Sequence, residues 1–245
     1  MAGLRSPQII AHRGALRDAP ENTLPAFARA LELGADGIEL DVHLSRDGRL
    51  VVIHDFDLEA TTNGHGPVTS WTAADLACLD AGSHFDPRFA TVGVPTLDEV
   101  LDLVGDRCRV NVEVKSLADD AGPAAEAVAC LLRERRLFEQ VIVSSFNPMT
   151  LVTLRRLEPT IDLGFLYVAP LTQQQAELLA SSMHPQALHP YCAGVTEETL
   201  AWARAEGFAV NVWTVNDVGE AHRLQSLGVD AIITDVPGIL IQELF

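Results

Sequence analysis

Positive charge is scarce in this chain. Its 245 residues include 17 Lys and Arg against 34 Asp and Glu, for a formal charge of −17. A field of that sign does not hold polyphosphate backbones or anionic bilayers, so no nucleic-acid partner and no membrane insertion are expected. An anionic small-molecule substrate would need a local positive centre, such as a metal ion with a few Lys or Arg. Cysteine is also sparse: Cys78, Cys108, Cys130 and Cys192 form no C-x-x-C pair. That spacing fits neither a zinc site nor a disulfide framework, and reduced thiols of a cytoplasmic protein are the expectation. No apolar run approaches the ~18 residues of a membrane span, and the opening "MAGLRSPQII" has no apolar core of an export signal. Low-complexity linkers and close internal repeats are absent, which favours one folding unit over the whole of 1–245.

Apolar residues make up 48% of the chain, enough for a sizeable core. Short β-branched runs at 8–13, 37–44, 50–54, 109–115, 141–145, 162–168, 187–190, 209–215 and 229–233 read as strands. Helical patterns fit between most of them, at about 23–33, 96–104, 122–136, 148–157, 173–182, 196–206 and 217–227. In the first, Asn22 or Thr23 caps, Leu24, Phe27, Ala28 and Leu31 share a face, and Gly34 closes. Alternating strands and helices over this length point to α/β architecture, a (β/α)8 TIM barrel.

The rhythm breaks twice. No helix fits between 37–44 and 50–54, where "RDGR" is a turn signal. A two-residue Asp47-Gly48 turn would pair Arg46 with Arg49 and Asp41 with His54; alternatively both strands run parallel in the barrel. Nine strand candidates for eight barrel positions leave one as a hairpin arm or extra strand. The second break is 56–108, rich in turn residues and too long for a simple loop, which reads as a small inserted subdomain after the third strand.

Strand side chains alternate faces. Glu39, Asp41 and His43 oppose Ile38, Leu40, Val42 and Leu44; Asn111, Glu113 and Lys115 oppose Val110, Val112 and Val114; Asn211 and Trp213 oppose Val210 and Val212. With the apolar faces turned to surrounding helices, the polar faces enter the barrel. Three carboxylates gathered in a partly dry mouth must either rise in pKa or share a cation. Glu39, Asp41 and Glu113 are hard oxygen donors, suited to one divalent cation, Mg2+ or Ca2+. The cage with its ion keeps about one negative charge, so a phosphate ligand calls for Lys115 and Arg13. His12 and His54, each near the end of a strand where barrel sites lie, suit proton transfer in both directions.

Taken in order, "AHRG", "APENT", "GIELDVHLSRDG", "VVIHD", "LDAGSHFDPRFATVGVPTLDEVL", "VEVK", "SSF", "NVWTVND" and "GVDAIITDVP" resemble the glycerophosphodiester phosphodiesterase family of bacterial cytosolic type. The likeness spans essentially the whole chain. It implies metal-dependent hydrolysis of glycerophosphodiesters to glycerol 3-phosphate and an alcohol such as choline or ethanolamine. His12 and His54 would be the acid–base pair, Glu39, Asp41 and Glu113 the metal ligands, and Arg13 and Lys115 the phosphate contacts. Phe146 and Trp213 would wall the glycerol, and Glu21 would orient Arg13. The chain departs from the resemblance at Ala60, often Arg, and at His84, often aromatic, both in the insertion. Related barrel phosphodiesterases acting on lipids, of phospholipase C or lysophospholipase D type, are the alternative activity. A silent barrel that only binds a phosphodiester or metal is the non-enzymatic one.

Overall fold

The computed structural model describes residues 6–117, 121–168, 170–171 and 179–245. Its strands are β1 (Gln8–Ala11), β2 (Gly37–Leu44), β3 (Leu50–Val52), β4 (Arg109–Val114), β5 (Val141–Ser145), β6 (Asp162–Tyr167), β7 (Ala187–Pro190), β8 (Ala209–Val212) and β9 (Ala231–Thr234). All but β3 run parallel in the order β1-β2-β4-β5-β6-β7-β8-β9, and β9 pairs back onto β1, closing an eight-stranded barrel. The helices are α1 (Leu24–Glu32), α2 (Ala73–Ala77), α3 (Leu97–Val104), α4 (Ala121–Arg135), α5 (Pro148–Leu157), α6 (Glu197–Ala205), α7 (Val218–Leu227) and α8 (Pro237–Leu244). This is a (β/α)8 TIM barrel. The helix expected at 173–182 falls mostly outside the described residues, with only a π-helical turn, Leu179–Met183, in view. The sequence reading missed α8.

Burial explains the architecture. Ile9, Ile38, Leu40, Val110, Val112, Val141 and Val143 are fully enclosed in the layer between strands and helices. Their neighbours in sequence face the barrel axis, where the apolar content is small: Ile10, Ala231 and Ile233 cluster beneath Trp213. Large apolar side chains thus hold the outer layer, while the inner face of β2 and β4 is left to polar groups.

The first rhythm break is a hairpin, because β3 runs antiparallel to β2. Its register differs from the two-residue expectation by one: Val42 faces Val52 and His43 faces Val51. The loop has three residues, with Ser45 N–H bonded to the Arg49 carbonyl (2.8 Å) and Gly48 at φ +77°. A three-residue loop with glycine in the left-handed region is the next commonest hairpin solution. Asp41 therefore meets Ile53, whose N–H its carbonyl accepts at 3.1 Å, and His54 falls one residue beyond the ladder.

Between β3 and α3 the chain forms a short helix and several turns around a separate apolar cluster of Val51, Ile53, Leu58, Val68, Leu76 and Val94. Val52 N–H bonds the Pro95 carbonyl (2.8 Å), so the segment leaves and re-enters the barrel at one point. In α1, the buried face is Ala26, Phe27 and Ala30 rather than the stripe through Ala28 and Leu31. The loop after β1 lies against Ala26, with Ala15 N–H on its carbonyl (3.0 Å), and rotates the helix toward that contact.

Candidate active site

The adjacent strands β2 and β4 bring the expected acidic residues together. Asp41 and Glu113 are register partners on adjacent parallel strands, and Glu39 lies one inward position below Asp41. All three are buried, and one oxygen of each lies within 4.8 Å of the others. Lys115, just past β4, places Nζ 2.9 Å from Asp41 Oδ1 and 2.5 Å from Glu113 Oε1.

The loop after β1 supplies the other cation. Arg13 and Asn22 both occupy the left-handed region, at φ +54° and +56°, which costs non-glycine residues about 1–2 kcal/mol each. Hydrogen bonds made from this loop offset the strain. Arg13 donates its backbone N–H to Glu39 Oε2 (2.9 Å) and its carbonyl accepts from Asn22 N–H (3.0 Å). Asn22 Nδ2 then donates to Asp41 Oδ2 (2.8 Å). Thr23 takes the N-cap position of α1, but its hydroxyl donates to the Pro20 carbonyl and makes no cap hydrogen bond. Arg13 Nη1 bonds Glu21 Oε1 (2.8 Å), the pairing expected for Glu21. Arg13 Nε stands 3.4 Å from Asp41 Oδ2 without hydrogen-bond geometry, which leaves this buried guanidinium donor unpaired among the described residues.

Each histidine has a carboxylate behind it. His12 follows β1 and its Nδ1 lies 2.6 Å from Asp235 Oδ1, just past β9. His54 follows β3 and its Nδ1 lies 2.6 Å from Asp55 Oδ1. His43, on the inner face of β2, holds the His54 carbonyl through Nε2 (3.1 Å) and packs edge-on against Phe56.

These placements set the protonation of the cluster. Burial, then the charge of Asp41, pushes Glu39 up to about 8 and Glu113 up to about 7. Asp41 is buried as deeply, yet Lys115 and Arg13 outweigh desolvation and hold it at about 2. For His12, burial acts downward, but the Asp235 hydrogen bond and the charge of Glu39 leave its pKa raised. For His54, burial prevails over Asp41, and the pKa is lowered. Two carboxylate-backed histidines at one mouth are thus pushed in opposite directions.

Phe146, after β5, and Trp213, after β8, meet edge to face at 5.4 Å between ring centres. Tyr191 also packs against Trp213, at 5.5 Å between ring centres, an aromatic that the sequence reading did not single out. Asn22, Asp55 and Asp235 were also missed as site residues, although each lies inside a quoted motif; "IITD" repeats the strand-then-carboxylate pattern of "VIHD". Ala60 lines a groove of about 560 Å³ with His54, Asp55, Phe56, Asp57, Glu59 and Lys115, so that departure borders the site, whereas His84 is exposed on the insertion. A wider cavity of about 700 Å³, lined by Arg109, Asn111, His189 and Asn211 among others, lies at the opposite, N-terminal ends of the strands and contains none of the expected site residues.

A TIM barrel that collects buried carboxylates, two cations and two carboxylate-paired histidines at its C-terminal mouth has the equipment of a phosphoric ester hydrolase. The sequence profile of the Glycerophosphoryl diester phosphodiesterase family matches residues 12–239. A glycerophosphodiester phosphodiesterase of Caldanaerobacter subterraneus subsp. tengcongensis is 41% identical, covering 95% of this chain and 96% of its own. An Oleispira antarctica phosphodiesterase, solved in complex with the product sn-glycerol-3-phosphate, superposes with a TM-score of 0.88 at 30% identity, covering 97% of this chain and 96% of its own. A glycerophosphodiester phosphodiesterase structure from Agrobacterium tumefaciens gives 0.82 at 31% identity, covering 96% and 99%. The chain belongs to the glycerophosphodiester phosphodiesterase family and is an enzyme of that kind.

Proposed function

We propose that the protein hydrolyses small glycerophosphodiesters to glycerol 3-phosphate and an alcohol, using one divalent cation, Mg2+ or Ca2+, and His12 and His54 as the acid–base pair. The observation that carries this reading is the convergence of Glu39, Asp41 and Glu113 within 4.8 Å beside Arg13 and Lys115. The donor set fits a hard cation: three carboxylates and no thiol, two of the carboxylates raised in pKa by burial and by the charge of Asp41. Bound there, the cation supplies Lewis-acid stabilisation of charge on the phosphate oxygens. Arg13, whose Nε has no partner among the described residues, and Lys115 hold the phosphate and neutralise charge that develops in the transition state.

His54, with its lowered pKa, accepts the proton of the attacking hydroxyl, and His12, with its raised pKa, gives one to the departing alcohol. A glycerol hydroxyl of the substrate is the expected nucleophile, by way of a cyclic phosphate that water opens. Phe146 and Trp213 wall the glycerol side. The whole chain acts as one domain in this reading, with the segment between β3 and α3 bordering the leaving-group groove. The proposal includes a cytoplasmic setting, which the four separate free thiols suit; no helix among the described residues is long and apolar enough to cross a membrane.

The test is release of glycerol 3-phosphate from glycerophosphocholine by protein stripped with EDTA, then supplied with Mg2+ or Ca2+. Activity abolished by EDTA and restored by one ion supports the proposal and selects the cofactor. A lipid-acting alternative draws on Leu117 and Phe146, exposed just after β4 and β5, and on Met149, exposed in the first turn of α5. Co-sedimentation with vesicles and turnover of lysophospholipids, without turnover of glycerophosphocholine, is the result that would favour it.

A further inference from the structure

His12 is held from behind by more than one group. Asp235 Oδ1 lies 2.6 Å from its Nδ1, and the other oxygen, Oδ2, accepts from Asn216 Nδ2 at 2.6 Å. Asn216 grips the same residue a second time, its Oδ1 accepting the Asp235 backbone N–H at 2.9 Å, and that oxygen also accepts from the Thr234 hydroxyl at 3.2 Å. Thr234 in turn accepts the backbone N–H of His12 through its carbonyl (2.9 Å). The chain Asn216–Asp235–His12 thus ties the loop after β8 and the end of β9 to the residue after β1, across the seam where the barrel closes. Among the described residues His12 Nε2 has no protein hydrogen bond.

We propose that Asp235, clamped by Asn216, is the positioning residue of His12: it accepts the Nδ1–H hydrogen bond, fixes the ring plane, and presents Nε2 to the substrate. The inference rests on the acid–base reading of His12 given above. A carboxylate fixed at both oxygens admits one ring orientation and keeps the Nδ1–H donor in place, so Nε2 alone gains and loses the working proton. Without that partner the imidazole can rotate or bind through the wrong nitrogen. In the best-known Ser-His-Asp site, changing the corresponding Asp to Asn leaves the geometry intact and removes about 10⁴-fold of kcat through the wrong tautomer. Glu39, Glu113 and Arg13 also act on the charge of His12, so a pH effect must be separated from theirs.

The experiment compares Asp235→Asn, Asp235→Glu and Asn216→Ala in the metal-loaded full chain. Expected are a loss of kcat of about 10²-fold for Asp235→Asn with KM nearly unchanged, partial recovery in Asp235→Glu, and a severalfold loss in Asn216→Ala. The pH limb assigned to His12 should move in Asp235→Asn while the limb of His54 stays. Adding His12→Ala to Asp235→Asn should cost little more than His12→Ala alone. Nitrogen NMR shifts of His12 provide a readout that needs no turnover: Nδ1 protonated in the neutral wild-type ring, a tautomer mixture in Asp235→Asn. Losses that multiply independently, or an unchanged tautomer with normal kcat, overturn the proposal. Unaltered tautomer control in a protein inactive on every glycerophosphodiester would reject the catalytic reading but leave the positioning intact.

Discussion

Metal binding at Glu39, Asp41 and Glu113 should be strongly coupled to pH, and the size of the coupling follows from burial. Without a cation Glu39 holds its proton to about 8 and Glu113 to about 7, whereas Asp41 is already ionised. At pH 6, removing the two protons together costs on the order of 4 kcal/mol, or roughly a thousandfold in affinity. At pH 8 less than about 1 kcal/mol remains, so affinity should rise by roughly 10² to 10³ between pH 6 and 8. Calorimetric titration of Mg2+ or Ca2+ in buffers of different ionisation enthalpy counts the protons. The expected release is about two per ion at pH 6 and below about one half at pH 8.5. Affinity independent of pH, with no proton release, would show that these carboxylates are ionised before the ion arrives, and burial would then not govern their protonation.

The same shifts act on stability. A carboxyl with a higher pKa in the fold than in the unfolded chain stays protonated longer when folded, so the unfolded chain loses protons first and stability falls as pH rises through that window. Protein in EDTA should therefore lose thermal stability from about pH 4.5 toward pH 8 relative to the metal-loaded form, and thermal scans at both ends check the sign. His12→Ala and His54→Ala should each lower kcat by at least ~10²-fold while calorimetry still detects metal binding; normal turnover in either would remove that histidine from the chemistry. Asn22→Ala should raise the metal Kd severalfold, because Asp41 loses a hydrogen bond that helps to hold it, and titration against wild type reads the change. Phe27→Ala should lower stability by about 3–5 kcal/mol by opening a cavity under α1, measured by urea unfolding with an unchanged m-value.

The acidic cluster was legible because it sits on strands whose pattern has period two. Glu39 and Asp41, flanked by Ile38, Leu40 and Val42, could face only one way once the apolar side was buried, and Glu113 followed the same rule on β4. Lys115 and His54 were legible as residues just past strand ends, where barrel sites form. Loop geometry was not legible in this way. The β2–β3 hairpin slipped by one residue from the two-residue expectation because Ser45 and Asp47 organise a three-residue loop through side-chain bonds. The stripe of α1 was misjudged because a contact with the loop after β1, remote from the helix's own periodicity, set its rotation.

What the sequence by itself determined was the alternation of strands and helices, the inward carboxylates and the residue types that gather at the barrel mouth, all consequences of local periodicity and residue chemistry. Only the tertiary structure decided which groups support them. Asp235 is 223 positions from His12 and Asn22 is 19 from Asp41, distances over which no local pattern operates. Closing the barrel brings β9 beside β1 and folds the loop after β1 over β2, and that closure places a carboxylate behind a histidine and an amide on a buried aspartate.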